Sequence, residues 1–138
     1  MPSVMQNRRI KRLKNKAWNL LSKKIRRERE QCQNCGSTQY LNVHHLEDAR
    51  LNPELFLDEK NLILLCVKCH KFGKWAVHRS AVTLWYLINR CKIDMMYLHN
   101  HKLDLGKKFE FTEEYLLNKI EELENGKVKK ASYCKRGR

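Results

Sequence analysis

Two Cys-x-x-Cys pairs, Cys32–Cys35 and Cys66–Cys69, constrain this chain more than any other feature of its sequence. A two-residue spacer lets both thiolates of a pair reach one ion, and two such pairs complete the tetrahedron that Zn²⁺ prefers. Gly36, directly after the first pair, permits the tight turn that such a knuckle needs. Two disulfides, or pairs without a common partner, are the competing readings. The N-terminal stretch MPSVMQNRRIKRLK lacks the apolar core of a secretory signal, so the expected compartment is the cytoplasm, where thiols stay reduced. A structural zinc site is therefore expected at Cys32, Cys35, Cys66 and Cys69. Binding such an ion contributes about 10–16 kcal/mol to folding, a large term for a chain of 138 residues that supports one compact domain.

The charge balance points to a polyanionic partner. Lys and Arg number 29 against 15 acids, a formal net charge of +14, and such an excess usually serves nucleic acid or an anionic membrane surface. The longest apolar run, LILLCV at 62–67, is the length of a strand and far short of the roughly 20 residues of a membrane span.

Along the chain, residues 7–30 hold eleven Lys or Arg and two acids, with Ile10, Leu13, Ala17, Leu21 and Ile25 at three- and four-residue steps and Trp18 alongside. This predicts an amphipathic helix with a basic outer face. Lys11, Arg12, Lys23, Lys24, Arg26 and Arg27 are its expected phosphate contacts, joined by Lys74 further on; a merely solvated face is the bland alternative. Residues 31–75 read as strand, loop, strand and a short helix: YLNVHH alternates, Pro53 and scattered acids break 46–60, NLILLC returns as a strand, and VKCHKFGKW comes next. In residues 76–126, Val77, Ala81, Leu84, Trp85, Ile88 and Cys91 form one helical stripe expected in the core. A further helix is expected with Thr112 as N-cap and Asn125-Gly126 as its stop. Residues 127–138 form a basic tail, with Cys134 a tail thiol. His78, His99 and His101 are expected at the surface or in structural roles, although His78 lies near enough in sequence to approach a site within residues 31–75. The fold class is thus α+β, mainly helical, with a zinc-clamped ββα core between N- and C-terminal helices.

The stretch CQNCGSTQYLNVHHLEDARLNPELFLDEKNLILLCVKCH, from Cys32 to His70, resembles the HNH endonuclease family. It joins a paired histidine, an Asn-Leu step and a Cys-x-x-Cys-His ending in the family's order. The stretch KFGKWAVHRSAVTLWYLINR is similar to the segment behind the motif in some phage HNH proteins. The resemblance implies that His44 binds a catalytic divalent ion, that His45 is the general base, and that Asn61 bridges backbone in the ββα loop to hold that base. It implies that His70 is the second ligand of the ion, Mg²⁺, Mn²⁺, Ni²⁺ or another divalent metal. Some colicin-type relatives place another His four residues on; here that position is Lys74, which leaves two protein ligands.

The chemistry agrees with that division of labour. An imidazole with a reference pKa near 6.5 suits removal of a proton from water near neutral pH. The base must also stay off the ion, since a metal-bound nitrogen cannot accept that proton. The two adjacent histidines therefore do different jobs, although strand alternation places them on opposite faces. The expected activity is metal-dependent hydrolysis of DNA phosphodiester bonds by a monomer or homodimer in a bacterial or phage-infected cell, with no membrane partner. The alternative is a zinc-stabilised nucleic-acid-binding module without catalysis.

Overall fold

The computed structural model describes residues 2–104 and 107–126; the basic tail expected at 127–138, with Cys134, lies outside them. Helix α1 runs from Val4 to Arg29. After it come the strands β1 (Leu41–His45) and β2 (Leu62–Cys66), then α2 (Ala81–Arg90), α3 (Met95–His101) and α4 (Glu113–Asn125). The architecture is mainly helical around one two-stranded antiparallel sheet. The third element of the expected ββα unit is shorter than a regular helix, a single wide turn over Lys68–Phe72.

Helix α1 starts three residues earlier than its basic run suggests because Ser3 and Gln6 form a capping box. The Ser3 hydroxyl accepts from the Gln6 amide at 3.2 Å, and the Ser3 amide donates to Gln6 Oε1 at 2.7 Å. It ends where Glu30 takes a left-handed φ of 63° and donates to the Arg26 carbonyl. Thr112 caps α4 as expected, accepting from the Tyr115 amide at 3.1 Å. Gly126 closes that helix with a φ of −70°, so no left-handed glycine turn is used there.

Strand β2 is buried throughout, which explains its unbroken apolar sequence. Antiparallel pairing sets His45 opposite Leu62, His44 opposite Ile63 and Val43 opposite Leu64. Directly paired residues share a face. On one face Leu62 and Leu64 pack with Ala17, Leu21 and Ile25 of α1 and with Leu116 and Ile120 of α4. On the other, Ile63 and Leu65 pack with Cys32, Val77 and Leu87. The free edge of β2 is covered by Gln33, whose amide donates to Leu64 O at 2.8 Å while its Oε1 accepts from Leu64 N at 2.9 Å. Buried Arg29 fastens the end of α1 there, donating to Gln33 Oε1 at 3.0 Å and to the Leu62 carbonyl at 2.5 Å.

The stripe expected across Val77–Cys91 needs correction. Helix α2 begins only at Ala81 and is inserted through fully buried Leu87 with half-buried Leu84, Ile88 and Cys91, whereas Trp85 is 68% exposed and Ala81 lies at the surface. Its opposite side, with Val82, Trp85 and Tyr86, is not covered by any described element. Among the described residues no helix is long and apolar enough to cross a membrane.

Candidate active site

Two clusters of ligating side chains flank the sheet. The first unites Cys32, Cys35, Cys66 and Cys69, whose sulfurs all lie within 4.8 Å of one another. Each pair folds as a knuckle: the Cys35 amide points at the Cys32 sulfur and the Cys69 amide at the Cys66 sulfur, both at 3.5 Å. Gly36 adopts a φ of 80°, and its amide donates to the Cys32 carbonyl at 2.9 Å, the turn for which glycine is suited. Four sulfurs at the usual Zn–S length stand ~3.8 Å apart in a tetrahedron, and Cys35 Sγ lies 3.7 Å from Cys66 Sγ. The donor set fits a structural zinc ion. Burial pushes the Cys69 thiol up; Cys32 feels the same burial, but backbone amides of Cys35, Cys66 and Asn34 outweigh it and hold that thiol below its usual range.

The second cluster holds His44, His70 and His78. His44 Nδ1 lies 3.2 Å from His70 Nε2, and His78 Nε2 lies 2.9 Å from the same His70 atom. Ligands about 2.1 Å from a shared ion stand ~3.0–3.4 Å apart in octahedral or tetrahedral arrangements, so these nitrogens fit a divalent cation. All-imidazole donors favour transition metals over Mg²⁺. Burial, reinforced by the neighbouring imidazoles His70, His78 and His45, pushes His44 down to about 3. Burial, with His78 and Lys71, pushes His70 down to about 4. Both rings are therefore neutral at pH 7, the form that ligates metal.

His78 is exposed, and its ring still joins this cluster. The sequence suggests a surface or structural role for it, and the position four residues after His70 is Lys74, which is exposed. The third imidazole comes instead from eight residues on. The chain returns there because Val77 N donates to Cys69 O at 2.9 Å and His78 N to His70 O at 3.3 Å. The signal available in sequence is only a histidine close behind the motif.

His45 stands apart from that cluster. Its Nε2 lies 3.0 Å from the Phe56 carbonyl oxygen. A carbonyl only accepts, so Nε2 carries the proton and Nδ1 of the neutral ring holds the free lone pair. The ring stacks on Trp18 of α1, with centroids 4.8 Å apart and planes inclined by 22°, and on Phe56 at 5.2 Å and 20°. Burial lowers its pKa, partly offset by the Phe56 carbonyl and Asp48. Strand alternation is kept: His44 turns to the side of His70 and His78, His45 to the side of α1. Both still line one cleft of about 640 Å³, which wraps the end of β1 and is also lined by Asp48, Arg50, Phe56, Lys71 and Leu84.

Asn61 is fully buried at the start of β2. Its Oδ1 accepts from the Glu47 amide at 2.7 Å, and its Nδ2 donates to the carbonyls of Glu47 at 3.1 Å and Leu55 at 3.2 Å. One side chain thus ties the backbone just past the His pair to the loop that bears Phe56, the acceptor for His45.

Of the cations expected to meet phosphate, Lys11, Arg12, Lys23, Arg26, Arg27 and Lys74 are exposed. Lys24 is not available. It is only 19% exposed and pairs with buried Glu28 at 3.3 Å and with Glu59.

Residues 32–72 match the family model for HNH endonuclease, a nuclease-type family. Trp18 and His78 lie outside the matched segment. Comparison with curated proteins and with solved structures returned no match.

Proposed function

We propose that this protein is a metal-dependent endonuclease that hydrolyses phosphodiester bonds of DNA. The observation that carries this reading is the pairing, in one cleft, of a three-imidazole cluster with a separate histidine whose Nε2–H is engaged by the Phe56 carbonyl. A divalent ion held by His44, His70 and His78 would supply a Lewis acid for the phosphate and for the departing 3′ oxygen. The rest falls to side chains of this chain. His45 Nδ1 accepts a proton from the attacking water, whose oxygen bonds to phosphorus as the P–O3′ bond breaks. The Phe56 carbonyl keeps His45 in the tautomer that can do this, and burial keeps the ring neutral at pH 7. Asn61 is a positioning residue, since it fixes the 46–60 loop through Glu47 and Leu55. Lys11, Arg12, Lys23, Arg26, Arg27 and Lys74 are assigned to phosphate contacts that set affinity without reading sequence. The zinc clamp supports the site directly, because His70 adjoins Cys69 in the same turn.

The test is conversion of supercoiled plasmid to nicked or linear forms with Mn²⁺, Ni²⁺ or Mg²⁺, against a chelator control. Metal-dependent conversion that vanishes in His45→Ala is expected. Binding to DNA without any conversion would instead favour the zinc-stabilised binding module.

A further inference from the structure

The segment between His70 and His78 is a built turn. The Gly73 amide donates to Lys68 O at 2.7 Å and the Ala76 amide to Gly73 O at 3.1 Å, while Val77 and His78 donate back to Cys69 and His70. A Cβ at Gly73 would stand 2.7 Å from the Lys68 carbonyl oxygen, so the turn closes this tightly only with glycine. Ala76 and Val77 are buried and plug the turn into the core. What it presents outward is Phe72, 72% exposed, and Trp75, 65% exposed. Exposed Lys71, Lys74 and Arg79 stand in the same stretch, with Lys74 Nζ 5.3 Å from the centre of the Trp75 ring. From residue 60 to residue 93 the chain has seven Lys or Arg and no Asp or Glu. A surface of aromatic rings and uncompensated cations matches a polyanion with exposed π-faces.

We propose that the 71–76 turn is a stacking platform for unpaired bases beside the scissile phosphate, so that the preferred substrate is DNA that is single-stranded or splayed at the cut. This rests on the nuclease reading above. Phe72 is two residues from His70 and Trp75 three from His78, so their Cα atoms lie at most about 7 and 11 Å from those of the cluster residues. Nucleotides flanking a phosphate in the cleft come within that range. In an intact duplex the π-faces are stacked away and only edges and phosphates are offered; once a base is unpaired, its face is free to lie on Phe72 or Trp75.

The experiment measures fluorescence anisotropy of one labelled oligonucleotide, single-stranded and fully paired, without added divalent metal, across a salt series. Phe72→Ala/Trp75→Ala is compared with wild type, with Phe72→Tyr/Trp75→Phe and with Lys71→Gln/Lys74→Gln, after zinc content and far-UV CD establish that each is folded. Loss of the two aromatics is expected to weaken single-strand binding about ten-fold or more, with duplex binding nearly unchanged and the salt slope retained. The conservative aromatic pair should restore binding, and the lysine pair should flatten the slope on both DNA forms. Equal losses on the two forms, or no loss, would overturn the proposal and mark the rings as a contact for something else. Binding needs no cleavage here, so failure to cut any substrate would sink the nuclease reading while leaving this result standing. Cutting by a protein without single-strand preference would do the reverse.

Discussion

The imidazole of His45 lies 4.8 Å from the indole of Trp18, with their planes inclined by 22°. The two residues come from different parts of the chain, one from β1 and the other from the middle of α1. With Phe56, 5.1 Å from Trp18 and 5.2 Å from His45, they form a triangle of rings around the proposed base. Helix α1 is therefore a wall of the site as well as a basic surface.

Removing that wall should misplace the base without removing it. Trp18→Ala is expected to lower kcat by roughly ten- to a hundred-fold, since misplacement by about 1 Å costs that much, with KM for DNA changed little. Trp18→Phe should recover most of the rate, because a flat ring is what His45 needs. Steady-state cleavage kinetics on both variants, with thermal melts alongside, provide the check. A loss confined to KM would mean that Trp18 contacts DNA and does not position His45.

His78 should behave as a ligand equal to His44 and His70. His78→Ala is expected to weaken Mn²⁺ or Ni²⁺ binding by at least about ten-fold, and Lys74→Ala to leave it unchanged. Isothermal titration of the zinc-loaded protein with each metal would decide. Unaltered metal affinity in His78→Ala would leave a two-histidine site.

The features legible in the sequence differ from the rest in how local their cause is. The His44–His45 pair and Asn61 stand out through the resemblance to HNH endonucleases, whereas the cysteine pairs announce themselves because a two-residue spacer brings two thiolates to one ion. The strands are legible for a similarly local reason: each is a short apolar or alternating run bounded by turns. His78 is not, since its position depends on backbone bonds that close the 71–77 turn onto Cys69 and His70. Trp18 is visible only as a neighbour of the helical stripe; nothing in α1 tells which loop ring will meet it. Trp85 misleads because a run of apolar residues spaced for a helix does not say which side has something to pack on. In α2 that side is the one with Leu84 and Leu87.

The zinc clamp predicts a different class of defect from the cleft. Cys32→Ser or Cys69→Ser should unfold the domain, because an ion worth about 10–16 kcal/mol exceeds the usual stability of a small domain. His44→Ala should remain folded, as its ring is not one of the four sulfur donors. Far-UV CD and zinc content on these three variants separate the two roles. A folded, inactive Cys32→Ser protein would count against a structural zinc.

The cations of α1 differ in whether they are free to reach DNA. Helix α4 already neutralises part of the helix, since Arg9 pairs with Glu113 at 2.7 Å and Lys16 with Glu124 at 3.0 Å. Lys24 faces inward to Glu28 and Glu59, and these carboxylates contribute to a pKa raised above the usual lysine value despite an opposing effect of burial. Lys23, Arg26 and Arg27 remain exposed near the C-terminal end of α1. Each cation that neutralises a duplex phosphate contributes about 0.9 to the slope of log K against log salt. Replacing Lys23, Arg26 and Arg27 with Gln should therefore lower that slope by up to about 3 and weaken binding to all sequences alike. Lys24→Gln should leave the slope unchanged and instead lower the melting temperature, because it removes the ion pair of Lys24 with the buried carboxylate of Glu28. A salt series of binding beside thermal melts on both variants distinguishes the outcomes. A slope that falls with Lys24→Gln, or stays fixed with the triple variant, would place the phosphate contacts on other residues.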